Sequence, residues 1–430
     1  MLARQQDGRS VFGGQIAEET MRLSRKFLTL AVSAMAVAAT LAPASQAPAQ
    51  DEIPVGVLLP LSGSVAPIGI NNRRGHELAV DEINAAGGIK SLGGARLVLI
   101  DGDTQGNPNV GMSEVEKLGR RNVVAIMGAY QSGVTFPTTQ IAERLGIPFI
   151  DPVAIADSIT EGRGFKYTFK VAPLASWYAR DQIRFLVDTS KAAGQPAKSI
   201  VLLHEDTLFG TSTAEGQVKA AGEFGIEILA DISYPKDTPD MTSTIAQVKD
   251  LNPDAVLLVS YINDAVLITK TMKELDVNIP IIGTSAGHID PAYIANLGKD
   301  ADLTFTVGEW NTDLGKTGVA EISARFEKKF GVPMNGHAAE TYMSTMVLRD
   351  ALERAGSTDR DKLRAALAET TICGEANILP YQCVRFGESG QSPEAQLVVL
   401  QIVDGVHRTV WPPEVAATAP AWSVPAWGSR

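Results

Sequence analysis

Cysteine and histidine are scarce, with 2 Cys and 5 His in 430 residues. That leaves little material for a structural zinc site, and neither His76 nor His288 has a partner at metal-ligand spacing. No G-x-x-x-x-G-K-[ST] loop occurs, and no G-x-G-x-x-G opens the first predicted helix. Phosphate-cradling enzymes and dinucleotide-dependent dehydrogenases thereby lose their main support, and no cofactor and no metal is expected. Long apolar runs are also lacking: one stretch near the N-terminus approaches membrane-spanning length. Basic charge falls short too, with 38 Lys+Arg against 49 Asp+Glu, a net charge of −11 and a pI near 5.1. A nucleic-acid partner or a polybasic membrane-surface role is excluded on that balance. What remains is 45% hydrophobic and 20% charged, the mix of a globular protein long enough for two or three domains.

The stretch from Met21 reads as an export signal. Arg22, Arg25 and Lys26 precede a mostly apolar run from Phe27 to Ala42, and Ala47-Pro48-Ala49 offers an A-x-A cleavage site. Residues 1–20 fit no part of that pattern and read as an extension from a mis-assigned start, with residues 21–49 the signal peptide. No Cys lies near the cleavage site, so no bacterial lipid anchor is expected, and the mature chain is expected in the periplasm. Cleavage removes five basic and three acidic residues, leaving a net charge of −13. In that oxidising compartment Cys373 and Cys383, enclosing Gly374 and Pro380, read as a disulfide closing a surface loop, with two reduced buried thiols the alternative.

Along the mature chain, short apolar runs alternate with amphipathic segments. Val55–Leu59, Arg96–Ile100, Val123–Met127 and Pro148–Ile150 read as strands; Asn72–Ala86, Asn109–Arg120 and Thr138–Leu145 read as helices between them. A second series follows Pro173, with strands at Ser199–Leu203, Glu227–Ile232, Ala255–Val259 and Ile279–Ile282. Its helices are Ser176–Ala192, Thr211–Phe224, Asp240–Leu251 and Asp264–Leu275. Strands apolar on both faces, alternating with helices, imply parallel sheets covered on both sides. Two series give an α/β fold of two doubly wound, Rossmann-like lobes. Helices Val319–Phe330, Ala338–Ala355 and Asp359–Ala368 and a strand at Gln396–Val403 are too few for a third domain and are expected to complete the two lobes. The expected division is 53–173 with 306–385 for lobe 1, 174–305 with 386–410 for lobe 2, and 411–430 as an extended tail, wrapping a lobe or disordered.

Open parallel sheets bind ligands at the carboxyl ends of their strands. Those ends carry Tyr130-Gln131-Ser132-Gly133 and Asp151–Ile155 in the first lobe, and His204-Glu205-Asp206, Ser260–Asn263 and Gly283–Gly287 in the second. Two such mouths facing each other make a cleft. Val55–Gly63, followed by Ala79–Ile89, is similar to the start of type I periplasmic substrate-binding proteins, in the branch serving branched-chain (hydrophobic) amino-acid and amide ABC importers. The match continues through Gly128–Ser132, Ile147-Pro148, Gly164–Pro173 and Asp254–Leu258 and covers nearly all of 53–405. The resemblance implies two lobes joined by three crossings that close on a small-molecule ligand like a flytrap. It also implies a membrane permease and ATPase as partners, and a monomer.

In that family a Ser at a first-lobe helix start, here Ser132, donates its hydroxyl and backbone N–H to a ligand carboxylate, at the anion-favouring end of a helix; helix capping is the plainer role. Two departures stand out. Ile155 stands where amino-acid binders have a Thr, and Ser285 where they have a Glu that neutralises the ammonium. A desolvated ammonium left unpaired is costly. A carboxylate or amide with an apolar or aromatic body is therefore expected, unless Glu205 or Asp206 supplies the charge. Tyr130, Trp177, Phe209, Tyr261 and Trp310 fall at or just after strand ends and are candidate aromatic walls. Gly133, Val153, Ile155 and Ser285 complete the expected ligand set. The rival enzyme reading rests on Gly283-Thr284-Ser285-Ala286-Gly287, a G-x-S-x-G match with Asp290, His337 and His407 to its C-terminal side. The helix expected at Asp290-Pro291 places Ser285 off the strand-to-helix turn, against a secreted hydrolase. A ligand-sensing module for a receptor is the third class. No catalytic residue is assigned.

Overall fold

The computed structural model describes residues 51–429, so the predicted extension and signal peptide lie outside the described residues. In the first lobe β1 (Glu52–Leu59) lies between β2 (Arg96–Asp103) and β3 (Ile126–Gly128). β4 (Phe149–Asp151) and β5 (Thr168–Lys170) extend the sheet in the order β2-β1-β3-β4-β5, with every pair parallel. The connecting helices are α1 (Ala66–Ala85), α2 (Pro108–Arg120) and α3 (Ser132–Arg144). β1 is buried from Val55 to Leu59, as a central strand covered on both faces must be. α1 starts at Ala66, six residues before the predicted start, with a Pro in its first turn. Gly75 lets it pack tightly, because a Cβ there would stand 2.1 Å from Thr341 Oγ1.

The second lobe is built on α4 (Ala175–Ala192), α5 (Leu208–Phe224), α6 (Thr242–Leu251), α7 (Ile262–Glu274), α8 (Ala286–Ile289) and α9 (Pro291–Leu297). They surround β6 (Ser199–Glu205), β7 (Glu227–Tyr234), β8 (Ala255–Val259), β9 (Ile281–Thr284) and β10 (Phe305–Gly308), all parallel to one another. An antiparallel hairpin, β13 (Val398–Val403) and β14 (Val406–Trp411), completes a seven-stranded sheet of order β14-β13-β10-β9-β8-β6-β7. Between β10 and β13 the chain returns to the first lobe. There α10 (Val319–Phe330), α11 (Gly336–Ala355) and α12 (Arg360–Ala368) precede a two-stranded hairpin of β11 (Thr371–Cys373) and β12 (Cys383–Arg385). Cys373 and Cys383 face each other across it, Cα atoms 4.2 Å apart, and are disulfide-bonded.

Three sequence-based boundaries shift. The change of lobe placed between residues 305 and 306 falls inside β10, whose four residues are buried between β9 and β13, so the second lobe runs to Gly308. Residues 386–392 stay with the first lobe, since Lys170 N–H donates to Gly390 O and Ser392 N–H to Lys170 O. Trp411 ends β14 rather than opening the tail. Beyond it Gln401 bonds Ala421 in both directions, Trp422 stacks on Phe305 at 6.0 Å, and Trp427 Nε1 donates to Val277 O at 3.0 Å. Among the described residues no helix is long and apolar enough to cross a membrane.

Candidate functional site

The carboxyl ends of the two parallel sheets face one another. Tyr130, Ser132, Val153 and Ile155 from the first lobe meet Phe209, Tyr261, Ser285 and Ala286 from the second, and His337 at the start of α11 joins them around one cavity of about 20 Å³. That is room for about one water. Tyr130 stands 5.9 Å from Tyr261 and 5.5 Å from His337, ring centre to ring centre, and Phe209 lies 5.3 Å from Tyr261. These offset and edge contacts form a chain of aromatic faces. At the cleft edge Ser64 Oγ, in the loop after β1, donates to Asp237 Oδ2 across the lobes at 3.0 Å. Tyr130, Ser285 and Ala286 have φ of 77°, 39° and 41°, left-handed values that cost non-glycine residues free energy and concentrate at sites. Gly287 lets this turn approach β8: a Cβ there would lie 2.7 Å from the carbonyl carbon of Tyr261.

Ser132 opens α3, preceded by Gln131, which makes no side-chain cap. Its hydroxyl does not cap the helix either; Oγ accepts the Ala156 N–H at 3.2 Å and ties α3 to the loop after β4. That loop is held from behind by fully buried Lys170, whose Nζ donates to Ile155 O at 2.8 Å and Ala156 O at 3.1 Å. Asp151, its neighbour across β4 and β5, accepts the N–H groups of Val153 and Ala154. Burial pushes the Asp151 carboxyl up and the Lys170 ammonium down, against their mutual attraction.

The residues singled out from sequence divide. Seven of the ten expected ligand residues stand at strand ends and line the cavity, but Gly133, Trp177 and Trp310 do not. Gly133 sits one residue into α3, facing Thr207. Trp177 packs half-buried on the core in the first turn of α4. Trp310 is buried in the crossing after β10, its Nε1 donating to Ile378 O at 3.0 Å, and walls a separate cavity. Glu205 does not line the cavity: it holds the start of α5, accepting from Thr207 N at 2.7 Å and Gly210 N at 2.6 Å, although its charge is felt at Tyr261 and Tyr130. Asp206 is exposed and accepts the Lys236 N–H.

Ser285 departs most from expectation. α8 begins directly after it, so the strand-to-helix turn is at Ser285 and not at Asp290-Pro291, where Asp290 caps the separate α9. Its Oγ donates to Glu309 Oε2 at 2.9 Å and lies 3.1 Å from His337 Nε2. These are not the relations of a hydrolytic triad. Glu309 approaches the same ring nitrogen, Nε2, at 3.4 Å, while buried Nδ1 has no partner to orient it. Burial lowers the His337 pKa to about 3, which makes it a poor base. His407 is bonded to His288 O instead. Glu309 was missed because it follows β10, a strand of four residues left unassigned. Had Phe305–Gly308 been read as a strand, the strand-end rule would have found it.

A family model described as periplasmic binding protein matches residues 52–406. The chain belongs to that family. Leu/Ile/Val-binding protein homolog 7 of Brucella melitensis is 32% identical to this periplasmic binding protein over 398 residues, covering 89% of this chain and 96% of its own. Among solved structures, the branched-chain amino acid transporter substrate binding protein LivJ from Streptococcus pneumoniae, in complex with isoleucine, superposes with a TM-score of 0.74 at 23% identity. It covers 84% of this chain and 100% of its own. An ABC-transporter solute binding protein from R. palustris, in complex with benzoate, gives 0.75 at 23% identity over 86% and 98%. The fold is thus the type I periplasmic binding protein fold.

Proposed function

We propose that this protein is the exported substrate-binding protein of an ABC importer, and that its ligand is a small carboxylate with a flat or apolar body and no ammonium group. The lobes part to admit the ligand, since the cavity holds about 20 Å³, and close when ligand contacts favour closure. Ser132 and the first N–H groups of α3 take the carboxylate; Tyr130, Tyr261 and Phe209 cover the body. A membrane permease and its ATPase then receive the closed form. The observation that carries this reading is the lining itself: four aromatic or imidazole rings and three small apolar side chains, with no Asp, Glu, Lys or Arg. Burial keeps Tyr130 and Tyr261 neutral, their pKa values raised. Among the described residues no carboxylate lines the cavity to pair a desolvated ammonium directly.

A second reading has its own support. Glu309 lies one hydroxyl behind the cavity wall, and the relatives at about one-third identity are named for Leu, Ile and Val. In that case Ser285 and Glu309 together take the ammonium. Thermal denaturation of the mature, ligand-stripped protein separates the two, because a ligand at a hundred times its Kd stabilises by about 2.7 kcal/mol. Benzoate and branched aliphatic carboxylates are expected to raise Tm, with Ser132→Ala abolishing the effect. A rise with leucine, isoleucine or valine and none with carboxylates overturns the first reading for the second.

A further inference from the structure

The two serines that face the cavity are wired in opposite senses. Ser132 Oγ accepts the Ala156 N–H, so its own proton is left to donate into the cavity. The Ser285 proton is already committed, donated to Glu309 Oε2 at 2.9 Å. Tyr178 Oη donates to that same oxygen, also at 2.9 Å, from the first turn of α4. Glu309 is completely buried, and its other oxygen, Oε1, has no hydrogen-bond partner among the described residues. Burial raises its carboxyl pKa to about 7. The bookkeeping survives either state: a proton taken up resides on Oε1, facing His337 Nε2 at 3.4 Å, and Oε2 accepts both hydroxyls throughout. With that proton committed, His337 Nε2, 3.1 Å from Ser285 Oγ, is an N–H donor to it, and Ser285 turns its remaining lone pair, not a proton, towards the cavity.

Resting on the carboxylate reading above, we infer that Glu309 is a specificity-determining positioning residue: it fixes Ser285 as a hydrogen-bond acceptor, so that the preferred ligand is a carboxylate whose body carries a neutral hydroxyl or N–H donor. The cavity has a donor end at Ser132 and an acceptor end at Ser285. A ligand lacking the donor leaves the buried Ser285 oxygen without a water to replace it, and sites built around such a group discriminate strongly against the analogue that lacks it. A ligand presenting a second acceptor there is rejected, because Ser285 has no proton to offer.

The test is isothermal titration of the stripped protein with benzoate and its three monohydroxy isomers. At least one isomer is expected to bind about tenfold or more tightly than benzoate. Ser285→Ala is expected to bring that ratio to about one. Glu309→Gln, whose amide oxygen still accepts both hydroxyls, is expected to retain the ratio; Glu309→Leu loses it. A merely structural role for Glu309 would weaken all four ligands alike and leave the ratio standing. If benzoate binds and no isomer gains, or if the ratio survives Ser285→Ala, the inference is overturned and the carboxylate reading stands. If none of the four binds, the inference is overturned, and the carboxylate reading falls with it only if branched aliphatic carboxylates also fail to raise Tm.

Discussion

Replacing Lys170 with methionine keeps the apolar stem and removes a charge from the floor of the binding loop. The ammonium is fully buried and holds the carbonyls of Ile155 and Ala156, the loop that brings Val153 and Ile155 to the cavity. Its loss strands two buried acceptors, each hydrogen bond to a charged group being worth about 1.5–3 kcal/mol. It also removes a nearby charge that offsets Asp151 without contacting it, and leaving a buried charge uncompensated costs up to about 3–5 kcal/mol. These figures describe overlapping losses and are not summed. Asp151 relieves part of the cost by taking up a proton, since burial already pushes its carboxyl up. The expected loss is therefore about 3 kcal/mol, read as a lower urea midpoint at unchanged slope at pH 7, with weaker ligand binding beside it. Asp151→Asn in the Lys170→Met background is expected to cost far less than the two single changes added, a coupling of about 2 kcal/mol. A Lys170→Met protein within about 1 kcal/mol of wild type, or additive variants, would refute the account of the loop as held by this pair.

Glu309 carries its raised pKa, about 7 against 4.5, as stability present below the ordinary carboxyl value and lost as pH rises through 7. At about 1.4 kcal/mol per pH unit, the advantage of wild type over Glu309→Gln is expected to shrink by about 3 kcal/mol between pH 4.5 and 7.5 in urea titrations; a constant difference contradicts it. The disulfide joins residues ten apart in sequence, so the double change Cys373→Ser/Cys383→Ser is expected to cost about 2–3 kcal/mol on the loop-entropy account. A change under 0.5 kcal/mol counts against that account. Ser64→Ala removes an exposed bond across the lobes and is expected to speed ligand release about two- to fivefold in stopped-flow, with the association rate unchanged. Slower association with unchanged release would show that the bond does not belong to the closed state.

Much of this molecule was already determined by local chemistry. A strand such as Ala255–Val259, apolar at every position, can be satisfied only with cover on both faces, so the parallel sheets and their two-lobed repetition followed from the alternation alone. The strand-end rule alone puts Tyr130, Ser132, Tyr261 and Ser285 at a mouth. The tertiary structure decided what local pattern does not encode. β10 pairs with β9 on one side and, across about a hundred residues, with the β13–β14 hairpin on the other, which puts the lobe boundary past Gly308. Trp310 and Trp177 looked like cavity walls because aromatics at strand ends are equally good core. Only the angle of the hinge crossing turns Trp310 towards Ile378. Glu309 and His337, from a four-residue strand and a distant helix start, reach Ser285 because three separate chain crossings converge there. Which hydroxyl donates and which accepts is a property of that convergence: a hydrogen bond's sense depends on the partner, and here the partners are remote in sequence.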